Sequence, residues 1–225
     1  MSNEDSINYN EICAKIKKLE DELDELKNLL NENIDNDHSE NEAAVLSESP
    51  RRFLTLADIL GIGEKYYDES RWNTYYQEII DLLESFSDIG SVLEMGPYKA
   101  PFVENCDVID KVDYSEFFPL KANEVIIHDC SVFPYPIEDK KYDLVIASQV
   151  FEHIGYFGEQ IDAFKELARI SKRAIIALPY KWHRPLHRSH HMIDENVFDA
   201  WQGDFVPVYE NIAEYTITRI YDFGE

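Results

Sequence analysis

The sequence predicts an α/β protein: a mostly parallel sheet of seven strands, helices on both faces, and an antiparallel strand pair closing the C-terminal edge. Three observations predict it. Beyond residue 90, short apolar runs alternate with helical stretches, the pattern of a parallel sheet under covering helices. The helical stretches place their apolar residues three and four apart, as a buried helix face requires. The last two strand candidates are separated by a short turn, which joins antiparallel neighbours.

Taken in order, the first element is an appendage. Tyr9, Ile16, Leu23 and Leu30 fall seven apart, and Ile12, Leu19 and Leu26 are offset from them by three. These are a and d positions of a heptad repeat, which predicts a coiled-coil oligomerisation helix over 1–34. So narrow an apolar stripe stabilises a lone helix little, so self-association as a dimer or trimer is expected; docking of the helix on its own domain is the competing reading. Residues 35–50 are acidic and aperiodic and read as a flexible linker. The domain then covers 51–225. RFLTLADIL (52–60) and RWNTYYQEIIDLLESF (71–86) read as helices. Strands are expected at 91–96, 107–114, 124–129, 142–148 and 173–179, with the helix GEQIDAFKELARIS between the last two. After Pro179 come a His-rich loop, the helix DENVFDAW, and strands at 204–210 and 213–223.

Composition excludes several functions. The chain has 225 residues, 21 Lys plus Arg and 45 Asp plus Glu, a formal net charge of −24. Residues 1–49 hold 14 acids and 4 bases, so the appendage carries −10 of it. Phosphate neutralisation by a nucleic-acid binder needs a basic face, and so does peripheral attachment to anionic membranes. Only residues 181–191 form a basic cluster. No apolar run approaches the roughly 20 residues of a membrane span. The opening MSNEDSINYN lacks the basic and apolar regions of a signal peptide. Three cysteines without a CxxC fit a reducing, cytoplasmic setting.

The chemistry gathers at the strand ends. In a doubly wound sheet the ligand crevice lies at the carboxyl ends of the strands, where the strand order reverses. The first strand ends in Glu94 and Gly96, and a glycine there lets backbone approach a ligand. Pro97 and Tyr98 follow, so the loop is not GxGxxG, which argues against NAD and FAD. The second strand ends in Asp110 and Asp113, either of which can accept hydrogen bonds from both ribose hydroxyls of a nucleoside. The third ends in His128-Asp129-Cys130, where a carboxylate can accept from an adenine amino group. The fourth runs into Ser148-Gln149-Val150-Phe151-Glu152-His153.

Over 91–180 this constellation resembles the class I S-adenosylmethionine-dependent methyltransferases. YDLVIASQVFEHI, with PYPIEDKK before it, looks like the family's fourth-strand signature, and VLEMGP looks like a variant of its first motif, with one glycine where the family usually has two or three. The resemblance implies a Rossmann-like class I methyltransferase fold, S-adenosylmethionine as cofactor, and methyl transfer. It implies that Glu94, Gly96 and Pro97 line the methionine end of the cofactor and that Asp113, favoured over Asp110 by its distance from Glu94, takes the ribose. It places Asp129 and the Cys130 backbone N–H at the adenine, and Ser148 and Gln149 near the methionine part. Each carboxylate has a plainer alternative: Glu94 as a helix cap, Asp113 and Asp129 as turn residues.

Four of the seven histidines lie in KWHRPLHRSHH (181–191), which in this fold borders the acceptor pocket. Three readings compete. Trp182, Arg184 and Arg188, with His190 and His191, contact an anionic or polyhydroxylated acceptor; the loop binds a divalent metal; or its histidines satisfy local backbone. No HxH or HExxH spacing is present, so no metal is expected. LPYKW, the His-rich stretch and the closing strands resemble, more weakly, methyltransferases of glycan and surface-polysaccharide biosynthesis. A hydroxyl acceptor loses a proton on methylation, so a general base is expected: His153 first, whose plainer alternative is a helix-capping or buried structural histidine, then His183 and His187, with His190 and His191 as further candidates. The expected function is O-methylation of a small-molecule or glycan acceptor. The alternatives are N- or carboxyl-methylation of a small metabolite, or a non-catalytic oligomeric scaffold, which the glycine-poor first motif motivates.

Overall fold

The computed structural model describes residues 51–155, 158–182 and 192–224. The predicted coiled coil over 1–34, the linker over 35–50, and His183, Arg184, His187, Arg188, His190 and His191 lie outside the described residues.

The sheet has seven strands: β1 (Val92–Met95), β2 (Asp107–Asp110), β3 (Glu124–Ile127), β4 (Tyr142–Ser148), β5 (Ser171–Pro179), β6 (Tyr209–Ile212) and β7 (Thr216–Asp222). Their order is β3-β2-β1-β4-β5-β7-β6. The first five pair in parallel, and β7 runs antiparallel to both β5 and β6. This is the predicted Rossmann-like architecture with its antiparallel C-terminal pair. The order reverses between β1 and β4, so the crevice of a doubly wound sheet opens beside the end of β1.

Among the described residues, four helices cover the sheet: α1 (Leu56–Gly61); α2, an irregular helix running as Glu69–Arg71, a π-type stretch Trp72–Tyr76 and Gln77–Ser85; α3 (Glu159–Ile170); and α4 (Glu195–Gln202). Successive strand residues face opposite sides. Val145, Ala147, Ile176 and Leu178 therefore pack with Phe164 and Phe198 of α3 and α4. Leu144, Ile146, Ile175 and Ala177 pack with Ile59, Ile79 and Leu83 of α1 and α2. Both faces of β4 and β5 are apolar because both are covered.

Several predicted elements shift: the strand expected at 107–114 ends at Asp110, the one expected at 213–223 begins at Thr216, and two further starts move for local reasons. The first helix begins at Leu56, not residue 52. Thr55 and Asp58 form a reciprocal capping box that starts it there. Residues 52–54 instead pair with the loop after β1, through Leu54 N–H to Phe102 O at 2.9 Å and Glu104 N–H to Arg52 O at 3.0 Å. The sixth strand begins at Tyr209, not residue 204, because Pro207 has no N–H to give the ladder. Val206 and Val208 stay largely exposed.

Candidate active site

Two concavities meet above the carboxyl ends of β1, β2 and β4. The donor-side cleft, of about 340 Å³, is lined by Gly96, Asp110, Tyr114, Asp129, Cys130 and Gln149. That volume falls within the roughly 300–1,000 Å³ of small-molecule sites. The acceptor-side cavity, of about 190 Å³, lies against α2 and is lined by Tyr66, Arg71, Tyr75, Pro97, Phe102 and Ser148. Gly96, Tyr98, Gln149 and His153 line both.

Backbone conformation shapes the shared wall. Gly96 has φ +59, and a Cβ there would stand 2.9 Å from Val150 Cγ2, so no other residue fits without displacement. Its N–H donates to Ile109 O at 2.8 Å, tying the end of β1 to β2. Gln149, at the end of β4, also takes a left-handed conformation (φ 57) and is held by its N–H to Ala177 O at 2.8 Å. Tyr98 (φ 55) is wedged between Tyr67, stacked at 6.2 Å, and Tyr114, edge-on at 4.7 Å.

The structure sorts the predicted carboxylates. Glu94 lines neither concavity. It is buried, and its two oxygens accept from Phe102 N–H and Val103 N–H at 2.8 Å each. The connection from β1 to β2 contains no helix for Glu94 to cap, so the carboxylate folds that loop down instead. Burial pushes it up to about 7, against these donors and the Cys106 thiol. Asp113 is exposed, accepts Ser115 N–H at 2.8 Å, starts the short 3-10 turn Ser115–Phe117 and stands outside the cleft. Asp110 lines the cleft. Burial raises its carboxyl against the backbone N–H groups of Val112, Lys111 and Tyr98, of which the Val112 contact is long at 3.4 Å. The chain turns after Asp110, so strand alternation does not extend to Asp113.

Asp129 lines the far end of the cleft. Its Oδ1 accepts from Ser131 N–H at 2.9 Å and Ser131 hydroxyl at 2.7 Å, and its Oδ2 pairs with Lys111 Nζ at 2.8 Å. Partial burial would raise this carboxyl, but the Lys111 and Ser131 donors hold it down to about 2. Cys130 is buried beside it, and burial pushes the thiol up to about 12. Pro97 and Ser148 lie on the acceptor side rather than in the cleft.

His153 stands between the two concavities with its side chain 49% exposed, and its Nε2 is 3.8 Å from Glu152 Oε1. Glu152 is 2% exposed, and its Oε2 has no hydrogen-bond partner. Burial pushes its carboxyl up to about 8. Trp182 lines a groove that continues the acceptor cavity, together with Lys65, Arg71, Tyr75 and Tyr215.

Sequence reasoning missed Tyr66, Arg71, Tyr98 and Tyr114. The available signal was Tyr75, which fits the helical spacing of the buried face yet is only half-buried. The π-type stretch turns it from the core toward the cavity, and such stretches recur at functional sites.

No protein-family model and no curated relative matches the sequence. Solved structures do share the fold. The PH0226 protein from Pyrococcus horikoshii OT3 superposes with a TM-score of 0.52 at 16% identity, over 72% of this chain and 92% of that one. A Haloferax volcanii protein described as a methyltransferase, solved with the Trm112 methyltransferase activator, gives 0.52 at 10% identity, over 76% of this chain and all of that one. WbdD gives 0.51 at 15% identity, over 78% of this chain and 40% of that one. At these identities the likeness concerns the fold alone, which is the Rossmann-like fold of class I methyltransferases.

Proposed function

We propose that this protein transfers the methyl group of S-adenosylmethionine to a hydroxyl of a small-molecule or glycan acceptor. One observation carries the reading: the cleft and the cavity share the wall formed by Gly96, Tyr98, Gln149 and His153, so a nucleoside-bearing donor and an acceptor meet there.

The residues fit such a donor. Asp110 is half-buried at the end of β2 and lines the cleft, where its carboxylate can accept from two ribose hydroxyls. This replaces the sequence-based preference for Asp113, whose carboxylate is spent on a turn. Gly96, having no Cβ, lets the backbone close on the donor. An ionised carboxylate offers about four acceptor sites. Asp129 uses three, and the fourth, on Oδ2, is open to an adenine amino group. When bound, S-adenosylmethionine supplies an electrophilic methyl on a sulfonium.

The chain then has two tasks, alignment and proton removal. The tyrosines of the acceptor cavity confine the incoming hydroxyl. His153, exposed to both spaces, takes its proton into the ring. The membrane plays no part in this reading: among the described residues, no helix is long and apolar enough to cross one.

Calorimetric titration of the full chain tests the proposal. Micromolar binding of S-adenosylmethionine and S-adenosylhomocysteine is expected, and absence of both at high micromolar concentration would leave a methyltransferase-shaped scaffold. Donor binding with turnover on amine but not hydroxyl acceptors would replace O- by N-methylation.

A further inference from the structure

Arg71 occupies an unusual position for an arginine in so acidic a chain. Arg52 pairs with Asp58, Arg169 with Glu166 and Asp139, and Arg219 with Asp199 and Glu210. Among the described residues Arg71, like Arg51 and Arg173, forms no ion pair with a carboxylate, but those two donate to the backbone carbonyls of Gly90 and Asp88, whereas Arg71 lines the cavity. Its guanidinium carbon lies 3.5 Å from the centre of the Tyr66 ring and 5.0 Å from that of Tyr75. Stacking holds the guanidinium through its flat face, it also hydrogen-bonds with Tyr66 and Tyr76, and the rest of its five N–H donors are left for a ligand. The backbone beneath is fixed as well, since Arg71 N–H donates to Asp68 Oδ1 at 2.8 Å.

Place matters as much as pairing. The acceptor cavity, at about 190 Å³, has room for a reacting group but not for a whole sugar conjugate. The remainder must leave through the adjoining groove, of about 400 Å³, where Trp182 offers an aromatic face. Tyr66, Arg71 and Tyr75 line both spaces and form their junction. Two nearby acids do not cancel the cation. Asp68 is engaged as the helix cap, and Glu152, behind Tyr66 and Tyr75, is kept mostly protonated at neutral pH by its burial.

Resting on the methyl-transfer reading, we infer that the acceptor carries an anionic group, a phosphate or carboxylate, which Arg71 holds at the junction of cavity and groove. Arg71 is thus a specificity residue for an anionic acceptor. Guanidinium suits either anion through paired hydrogen bonds.

The test uses the full chain saturated with S-adenosylhomocysteine and titrated with glucose 6-phosphate, glucuronate and glucose. At least one anionic sugar is expected to bind ten-fold or more tighter than glucose, and which one identifies the anion. Arg71→Gln should erase that preference, and Arg71→Lys should keep part of it, while both variants bind S-adenosylhomocysteine as the parent does. Equal binding of the three sugars, no binding of any, or a preference that survives in Arg71→Gln overturns the inference. Failure to bind S-adenosylhomocysteine is a different result, and it removes the methyl-transfer reading itself.

Discussion

The donor-side cleft and the acceptor-side cavity share a wall but are held in place by different means. The cleft is made at strand ends, where sheet hydrogen bonds and left-handed backbone at Gly96 and Gln149 set every position. The cavity is made by side chains of α2 and the segment before it, packed on one another: Arg71 over Tyr66, Tyr66 edge-on to Tyr67, Tyr67 stacked on Tyr98. One is fixed by topology and the other by packing. A fold can therefore keep its donor chemistry while changing its acceptor.

Four substitutions probe that contrast. The largest effect is expected where the two regions meet. His153→Ala should lower kcat by about 10²–10⁴, the usual contribution of a general base, with donor affinity unchanged. A change in KM alone would make His153 a wall rather than a base.

Next is the donor side. Asp110→Ala should weaken S-adenosylhomocysteine by at least about a hundred-fold, since hydrogen bonds to a charged group are worth about 1.5–3 kcal/mol each and two are lost. Asp113→Ala should change it less than about two-fold, being a turn residue exposed to solvent. The reverse pattern would return the ribose to Asp113.

The smallest effect is a pH dependence on the acceptor side. Burial raises the folded-state pKa of Glu152 from an ordinary 4.5 to about 8. The folded protein then holds this proton more tightly than the unfolded chain does, so the contribution to stability is present below pH 4.5 and is lost as pH rises toward 8. Glu152→Gln keeps the shape and removes the titration. The variant should match the parent near pH 5 and exceed it by a few kcal/mol near pH 8, read as chemical-denaturation midpoints across that range. Parallel pH profiles for the two proteins would show that Glu152 ionises freely. Glu94, raised to about 7 by its own burial, adds a dependence of the same sign that both proteins share.

Most of the fold was legible because its signals are local. The apolar runs at 92–95, 124–127 and 142–148 and the periodicity of α3 announce themselves over a few residues. Two of the shifted boundaries were set by capping and by Pro207, which are also local but compete with apolar pattern. The candidate site was legible in part. Gly96, Asp129, Cys130 and Gln149 follow strand ends and line one cleft. Choosing between Asp110 and Asp113 required the path of the chain after β2. Glu94 was misplaced because the connection it braces, Phe102 and Val103, lies eight and nine residues ahead.

By itself the sequence determined the alternation of strands and helices, the antiparallel closure, the polar residues at the strand ends, and the acidic background against which the basic cluster stands out. Periodicity and charge are carried by neighbouring residues, so no coordinates are needed to read them. Tertiary structure alone decided which carboxylate faces the cleft and which braces a loop. It alone brought Tyr66, Arg71 and Tyr75 over Gly96 and His153, and left a carboxylate oxygen of Glu152 buried without a partner. Those facts depend on where segments tens of residues apart are packed, and packing is settled by the whole core rather than by any stretch of chain.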